Sequence, residues 1–355
     1  MHTRPTDRMQ GRMKRHPAKV CGKLTPAHPT DHLAPPMPSE FELIRRYFNR
    51  PCAHTDLSVG DDAALVRPAS GMQLAISTDM LIAGTHFFPD TDPCDLGWKA
   101  LAVNLSDLAA MGAQARWAVL GLALPDVDEP WLSRFADGLF HCADQYGVDL
   151  VGGDTTRGPL AIGVTIFGEV PNGSAIRRDG AHPGDEIWIS GQPGLAALGL
   201  ACLQQRITLP TAARTRCIHA LQHPEPRLAL GLALRGVASA MLDVSDGLIG
   251  DLNHILERSG CGAEIDATLL PLTPLLAAGA DEPLARRCLL AGGDDYELLF
   301  SAPPSMQTTL AALSTQLQLP LTRIGHITEH RGQLLLREVD GRLLPPLVSG
   351  YDHFA

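Results

Sequence analysis

The stretch "MLDVSDGLIGDL" at 241–252 decides how this chain folds. Met241, Leu242 and Val244 make a short apolar run of strand character, while Leu248, Ile249 and Leu252 recur at helical spacing. A strand therefore feeds directly into a helix, and the turn between them carries Ser245 and Asp246. A look-alike, "AVNLSDLAAMGA" at 102–113, also carries Ser-Asp after an apolar run, at Asp107. A third version, "LVGGDTTRG" at 150–158, sets Asp154 after two glycines. Three apolar segments that close on carboxylates need something for those carboxylates to face.

Working outward, "MPSEFELIRRYF" (37–48) predicts an amphipathic helix, and "LSVGDDAALV" (57–66) and "MQLAISTDML" (72–81) predict strands. Helices follow at 95–112 and 128–146, with strands at 116–125, 148–152 and 160–170. The Gly-, Pro- and charge-rich segment 170–185 is the natural boundary. Beyond it come a strand at 186–191, helices near 194–205, 211–221 and 226–239, and the 240–260 strand–helix unit closed by Gly260. Strands near 262–267, 296–302, 321–327 and 333–338 complete the chain. The fold class is α/β with α+β character, in two domains at 37–172 and 173–355.

Residues 1–36 stand apart. They hold seven Lys/Arg against Asp7 and Asp31, with six prolines and no apolar periodicity. The expectation is a disordered basic extension, with Met37 as the start of the folded body; a nucleic-acid arm or transit-like segment is the alternative. The formal charge of −10 therefore understates the acidity of the body, which disfavours nucleic acid as a partner. No apolar run approaches the ~20 residues that span a bilayer, and the eight cysteines are scattered without a C-x-x-C pair. Both features suit a reduced, cytoplasmic setting without membrane partners.

Asp61 and Asp62 follow Gly60, Asp79 ends "AISTD", and Asp243 and Asp246 flank Ser245. Singly, Asp246 reads as a helix N-cap, Asp154 as a turn residue and Asp107 as the partner of an Arg. Together they outnumber the nearby cations, since Lys99 and Arg116 are the only Lys or Arg between 80 and 130. An oxygen-only set without paired His or Cys suits Mg²⁺, which also bridges an acidic protein to phosphates. Walker A and protein-kinase signatures are absent. His219 and His223 have i,i+4 spacing without a third ligand and read as a solvated face. "ISGQPGLAALG" (189–199) reads either as a phosphate-cradling turn or as a plain Gly/Pro helix start, and Arg177 and Arg178 as phosphate contacts or surface charge.

From Met37 onward the chain resembles the thiamine-monophosphate kinase family, within the superfamily that includes aminoimidazole ribonucleotide synthetase. The resemblance rests on "GDDAAL", "ISTDMLIAGTHF", "KALAVNLSDLAAMGA", "GGDTTRGPL", "DVSDGL", "GGDDYEL" and "GYDHF", in that order. It implies phosphoryl transfer from ATP to thiamine monophosphate, and a homodimer in which N-terminal domains pair their sheets. It also implies several Mg²⁺ ions held by Asp62, Asp79, Asp107, Asp154, Asp243 and Asp246, with Ser77 and Thr78. By the same resemblance Gly153, Asp154, Arg178 and Ser245 contact ATP, and His86, Asp294 and Tyr351 contact the thiamine substrate. Asp294 stands where the family often has Glu, and residues 1–36 match nothing in it. Selenophosphate synthetase and hydrogenase-maturation relatives each need a reactive cysteine in a setting this chain lacks. A catalytically silent nucleotide binder would be expected to have lost some of the six aspartates, all of which are present.

Overall fold

The computed structural model describes residues 38–345. Helix α1 (Glu40–Leu43) starts on a capping box between Ser39 and Glu42 and continues as a π-turn through Phe48. Two short antiparallel strands follow, β1 (Thr55–Leu57) and β2 (Leu65–Val66). The expected strand at 57–66 is thus broken. Gly60 takes φ +123 and the adjacent Asp61 and Asp62 turn outward, so the Gly-Asp-Asp segment is a loop.

The N-terminal half is one four-stranded sheet under two helices. Its elements are β3 (Met72–Ile82), α2 (Pro93–Ala110), β4 (Gln114–Leu124), α3 (Glu129–Tyr146), β5 (Asp149–Arg157) and β6 (Ala161–Pro171). The order is β3-β6-β4-β5, antiparallel except for the parallel β4–β5 pair, so β3 and β5 are its open edges. Strand β5 runs straight through Gly-Gly-Asp, where a turn was expected at Asp154. Gly153 permits this, because a Cβ there would sit 1.9 Å from the Leu120 carbonyl oxygen.

The C-terminal half runs β7 (Glu186–Ser190), α4 (Leu195–Leu203), α5 (Thr211–Gln222), α6 (Leu228–Ala233), β8 (Ala240–Asp243), α7 (Leu248–Ser259) and β9 (Gly262–Asp266). Then come α8 (Thr273–Ala277), α9 (Glu282–Ala291), β10 (Leu298–Ala302), α10 (Gln307–Leu317), β11 (Leu321–Thr328), β12 (Leu334–Arg337) and β13 (Leu343–Leu344). These strands form a seven-stranded mixed sheet in the order β13-β12-β9-β11-β7-β10-β8. The helix expected at 226–239 ends at Ala233, and α8, α9 and α10 were not anticipated.

Helix α2 joins the halves. It is apolar nearly all round and buried on nearly every face, against α3, the four-stranded sheet, α6 and β8. Gly97 and Gly138 make the α2–α3 contact close; a Cβ at Gly138 would meet the Cys94 carbonyl at 1.8 Å. A second core lies on the other face of the seven-stranded sheet, under α7 and α9.

Candidate active site

Four segments bring carboxylates to one cavity of about 530 Å³. Strand β3 supplies Asp79, the last turn of α2 Asp107, the β8–α7 turn Asp243, Ser245 and Asp246, and the loop before β10 Asp294. Ser77 donates its hydroxyl to Asp107, and Asn104, one turn earlier on α2, accepts the Asp79 amide at 3.0 Å. Asp246 does not cap α7; the N-cap is Gly247 at φ +110. Asp251, in the first turn of α7, holds the loop instead, accepting the Ser245 and Asp246 amides at 3.1 Å each. The Asp294 and Tyr296 amides donate to the carbonyls of Ser245 and Val244, which laces the two acidic loops together.

Thr78 lines the cavity, but its hydroxyl donates to the Val164 carbonyl and meets Thr165 on the sheet's other face. The Ile82 amide donates to His86 Nδ1, which fixes the tautomer with the proton on Nε2. Arg178 is exposed, and its charge bears on Asp107. Tyr351 lies outside the described residues.

Among the described residues no Lys or Arg lines this cavity. Burial, then repulsion from Asp107 and Asp246, pushes Asp79 up to about 6. Burial, then Asp107, pushes Asp243 up to about 7. Asp107 is raised too, burial outweighing the Ser77 hydrogen bond and the Arg178 charge. Among the described residues no three Asp, Glu, His or Cys side chains form a ready-made metal cage. That spacing fits Mg²⁺, which binds through one or two carboxylates and completes its shell with waters and substrate phosphates.

A folded pKa above the unfolded one means the folded chain holds extra protons between the two values. The stability these acids contribute is therefore present below about pH 4 and is lost as pH rises through 6 to 7. In EDTA, Asp243→Asn should accordingly melt higher than the parent at pH 8, with the gap shrinking at pH 5. A melting difference independent of pH would remove Asp243 from the crowded set.

Asp62, Gly153 and Asp154 do not join this cavity. They line a second one of about 830 Å³, with Phe41, Ile44 and Phe48 on its wall. The sheet explains the separation. Asp79 pairs with Val164, Val164 with Leu120, and Leu120 with Gly153, so Asp79 and Gly153 are three strand spacings apart, about 14 Å. Asp154, beside Gly121, also belongs to the exposed face, whereas the row of Asp79 is the buried one.

Residues 60–170 match the AIR synthase related protein, N-terminal domain, and residues 182–336 its C-terminal domain. The thiamine-monophosphate kinase of Salmonella typhimurium strain LT2 is 47% identical over 323 residues, covering 89% of this chain and 98% of that protein. The chain belongs to the thiamine-monophosphate kinase family. The crystal structure of thiamine-monophosphate kinase from Stenotrophomonas maltophilia K279a superposes with a TM-score of 0.76 at 46% identity, covering 82% of this chain and 92% of that one. A structure of AaThiL complexed with AMPPCP and TMP gives a TM-score of 0.71 at 31% identity, covering 84% and 92%.

In this thiamine-monophosphate kinase family member two sequence readings are narrowed. The turn before α4 does not present a free anion cradle, because the Gly194 amide donates to both oxygens of Asp295 at 2.8 Å. His219 is exposed, as a solvated face predicts, but His223 is only partly so. Their rings stack, His223 stacks on Trp98, and its Nε2 lies 3.1 Å from Asp95. Lys99, Asn104, Asp251 and Tyr296 are the site residues that the sequence did not single out. Asp251 alone carried a signal, as an acid in the first turn of a helix that starts on glycine.

Proposed function

We propose that the two cavities are the two parts of one site that transfers the γ-phosphoryl group of ATP to thiamine monophosphate, giving thiamine diphosphate and ADP. Five carboxylates lining one cavity, with no Lys or Arg lining it among the described residues, carry this reading, together with the family. Asp62, Asp79, Asp107, Asp154, Asp243 and Asp246, with Ser77 and the strand at Thr78, would hold Mg²⁺. Bound there, the metal would supply charge neutralisation for the facing phosphates.

The protein's own part is positioning. Gly153, Asp154, Ser245 and Arg178 contact the nucleotide; His86, through its Nε2–H, and Asp294 contact the acceptor, and Tyr351 is assigned to it as well. The acceptor is a phosphate, already ionised near neutral pH, so it needs no general base. Direct in-line transfer follows, with no phosphoenzyme. The boundary at 172/173 and a cytoplasmic location complete the assignment; among the described residues no helix is long and apolar enough to cross a membrane.

The same reading takes the active form to be a homodimer. Strand β3 leaves an eleven-residue edge open, and β5 leaves the other. Open edges invite pairing, and closing two such sheets against each other removes both. The β5 edge of one chain, with Asp154, then lies along the partner's β3 edge, with Asp79. Residues that one chain holds about 14 Å apart are supplied to one site by two chains.

The test is ADP release with ATP, Mg²⁺ and thiamine monophosphate, beside incubation with γ-labelled ATP alone. We expect release only when the thiamine substrate is present and no label on the protein. Label held covalently and chased onto thiamine monophosphate would replace direct transfer by a two-step route.

A further inference from the structure

Among the described residues Lys99 is the one Lys or Arg that is buried, and its burial needs a reason. It sits on α2 among apolar neighbours, and its side chain is 6% exposed. An ammonium so placed costs several kcal/mol unless a counter-charge meets it. The counter-charge comes from the other half of the chain: Nζ lies 2.7 Å from Asp294 Oδ1. Lys99, Val103 and Asp107 follow one another at i,i+4 on α2, and the last two line the acidic cavity. The ammonium therefore stands behind the cavity wall, one turn from Val103.

Asp294 is held in an uncommon state. Its φ is +64, and Tyr296, two residues on, has φ +51, both in the left-handed region that non-glycine residues avoid. The loop is pinned on every side. Backbone amides of Asp294 and Tyr296 bind the β8–α7 turn, Asp295 binds the Gly194 amide, and Glu297 takes Arg227 at 2.7 and 2.8 Å. At Asp294 itself both side-chain contacts fall on Oδ1, from Lys99 and from the Tyr296 hydroxyl at 3.3 Å. The Asp294 side chain is 31% exposed and lines the cavity, with Oδ2 left clear of both contacts.

We propose that Lys99 is a positioning residue of the acceptor site: it clamps one oxygen of Asp294 so that the other is presented to the cationic thiazolium–pyrimidine part of the acceptor. The proposal rests on the functional reading above. Lys99 acts through Asp294 alone, touching neither ATP nor the acceptor.

Steady-state kinetics of the full chain with ATP, Mg²⁺ and thiamine monophosphate test it. Lys99→Met should raise KM for thiamine monophosphate at least tenfold (~10-fold per 1.4 kcal/mol of lost orientation). KM for ATP and kcat should stay within about threefold, and Lys99→Arg should restore most of the loss. The double variant Lys99→Met/Asp294→Asn should match Asp294→Asn alone, since the clamp then has nothing to hold. That comparison also serves if Lys99→Met misfolds, because the double variant leaves no carboxylate unpaired. An unchanged KM for thiamine monophosphate, an equal rise in both KM values, or a further tenfold loss in the double variant would overturn the assignment. A parent that releases no ADP in response to thiamine monophosphate would instead sink the functional reading, and the Lys99 assignment with it.

Discussion

Asp107→Asn should lower turnover by on the order of a hundred- to a thousandfold, the usual cost of losing one group that stabilises transition-state charge, and should raise the melting temperature in EDTA. The two effects have one origin. Asp107 sits in the last turn of α2, where the helix presents its carbonyl end and a negative side chain is disfavoured. Burial holds its carboxyl above the usual range, and its charge in turn raises Asp79 and Asp243. Only the Ser77 hydroxyl and the Arg178 charge oppose this. Without a cation the folded chain is therefore strained at Asp107, and an amide relieves the strain while keeping the Ser77 contact. On the proposed reading, with ATP and Mg²⁺ present the same charge is what the phosphates' counter-ions bind, and the amide cannot replace it. Thermal melts in EDTA and turnover at saturating Mg²⁺ check both halves. Near-parent turnover would return Asp107 to a structural role, and a lower melting temperature in EDTA would contradict the crowding.

The strand-to-helix unit at 241–252 and the apolar run of α2 were legible because their periods are unbroken. The three helices between 273 and 317 were not: they have five, ten and eleven residues, too short for their apolar spacing to stand out. Among site residues, aspartates at element ends stood out because Asp is a poor interior residue. Lys99 did not stand out, since a lysine in a helix is ordinary until its surroundings are known. Which acids share a cavity was not legible at all. Asp154 and Asp79 sit in similar local patterns, yet strand alternation turns them to opposite faces. Only the pairing register, Asp79–Val164–Leu120–Gly153, shows that one chain keeps them apart.

That separation makes the oligomer testable through β3. Its even-numbered residues Leu74, Ile76, Met80 and Ile82 form an exposed apolar row, with Ile76 58% and Met80 57% accessible. Ser77 and Asp79 alternate with them on the opposite face. Burying each such side chain against a second copy contributes roughly 1.5–3 kcal/mol, and twofold symmetry counts every contact twice. Ile76→Lys replaces two of those contacts by two ammonium groups in an apolar seam. We expect it to shift the chain from dimer to monomer in analytical ultracentrifugation, at concentrations where the parent is fully paired. Turnover per chain should fall with the dimer fraction, because Asp154 then has no partner edge to meet. Mixing separates this from mere unfolding. Asp107→Asn and Asp154→Asn chains, each nearly inactive alone, should recover turnover when mixed and allowed to exchange, since one of the two sites in a mixed dimer draws its intact Asp107 and intact Asp154 from different chains. If the mixture stays inactive while mass analysis shows mixed dimers, the two aspartates act within one chain and the shared site is wrong.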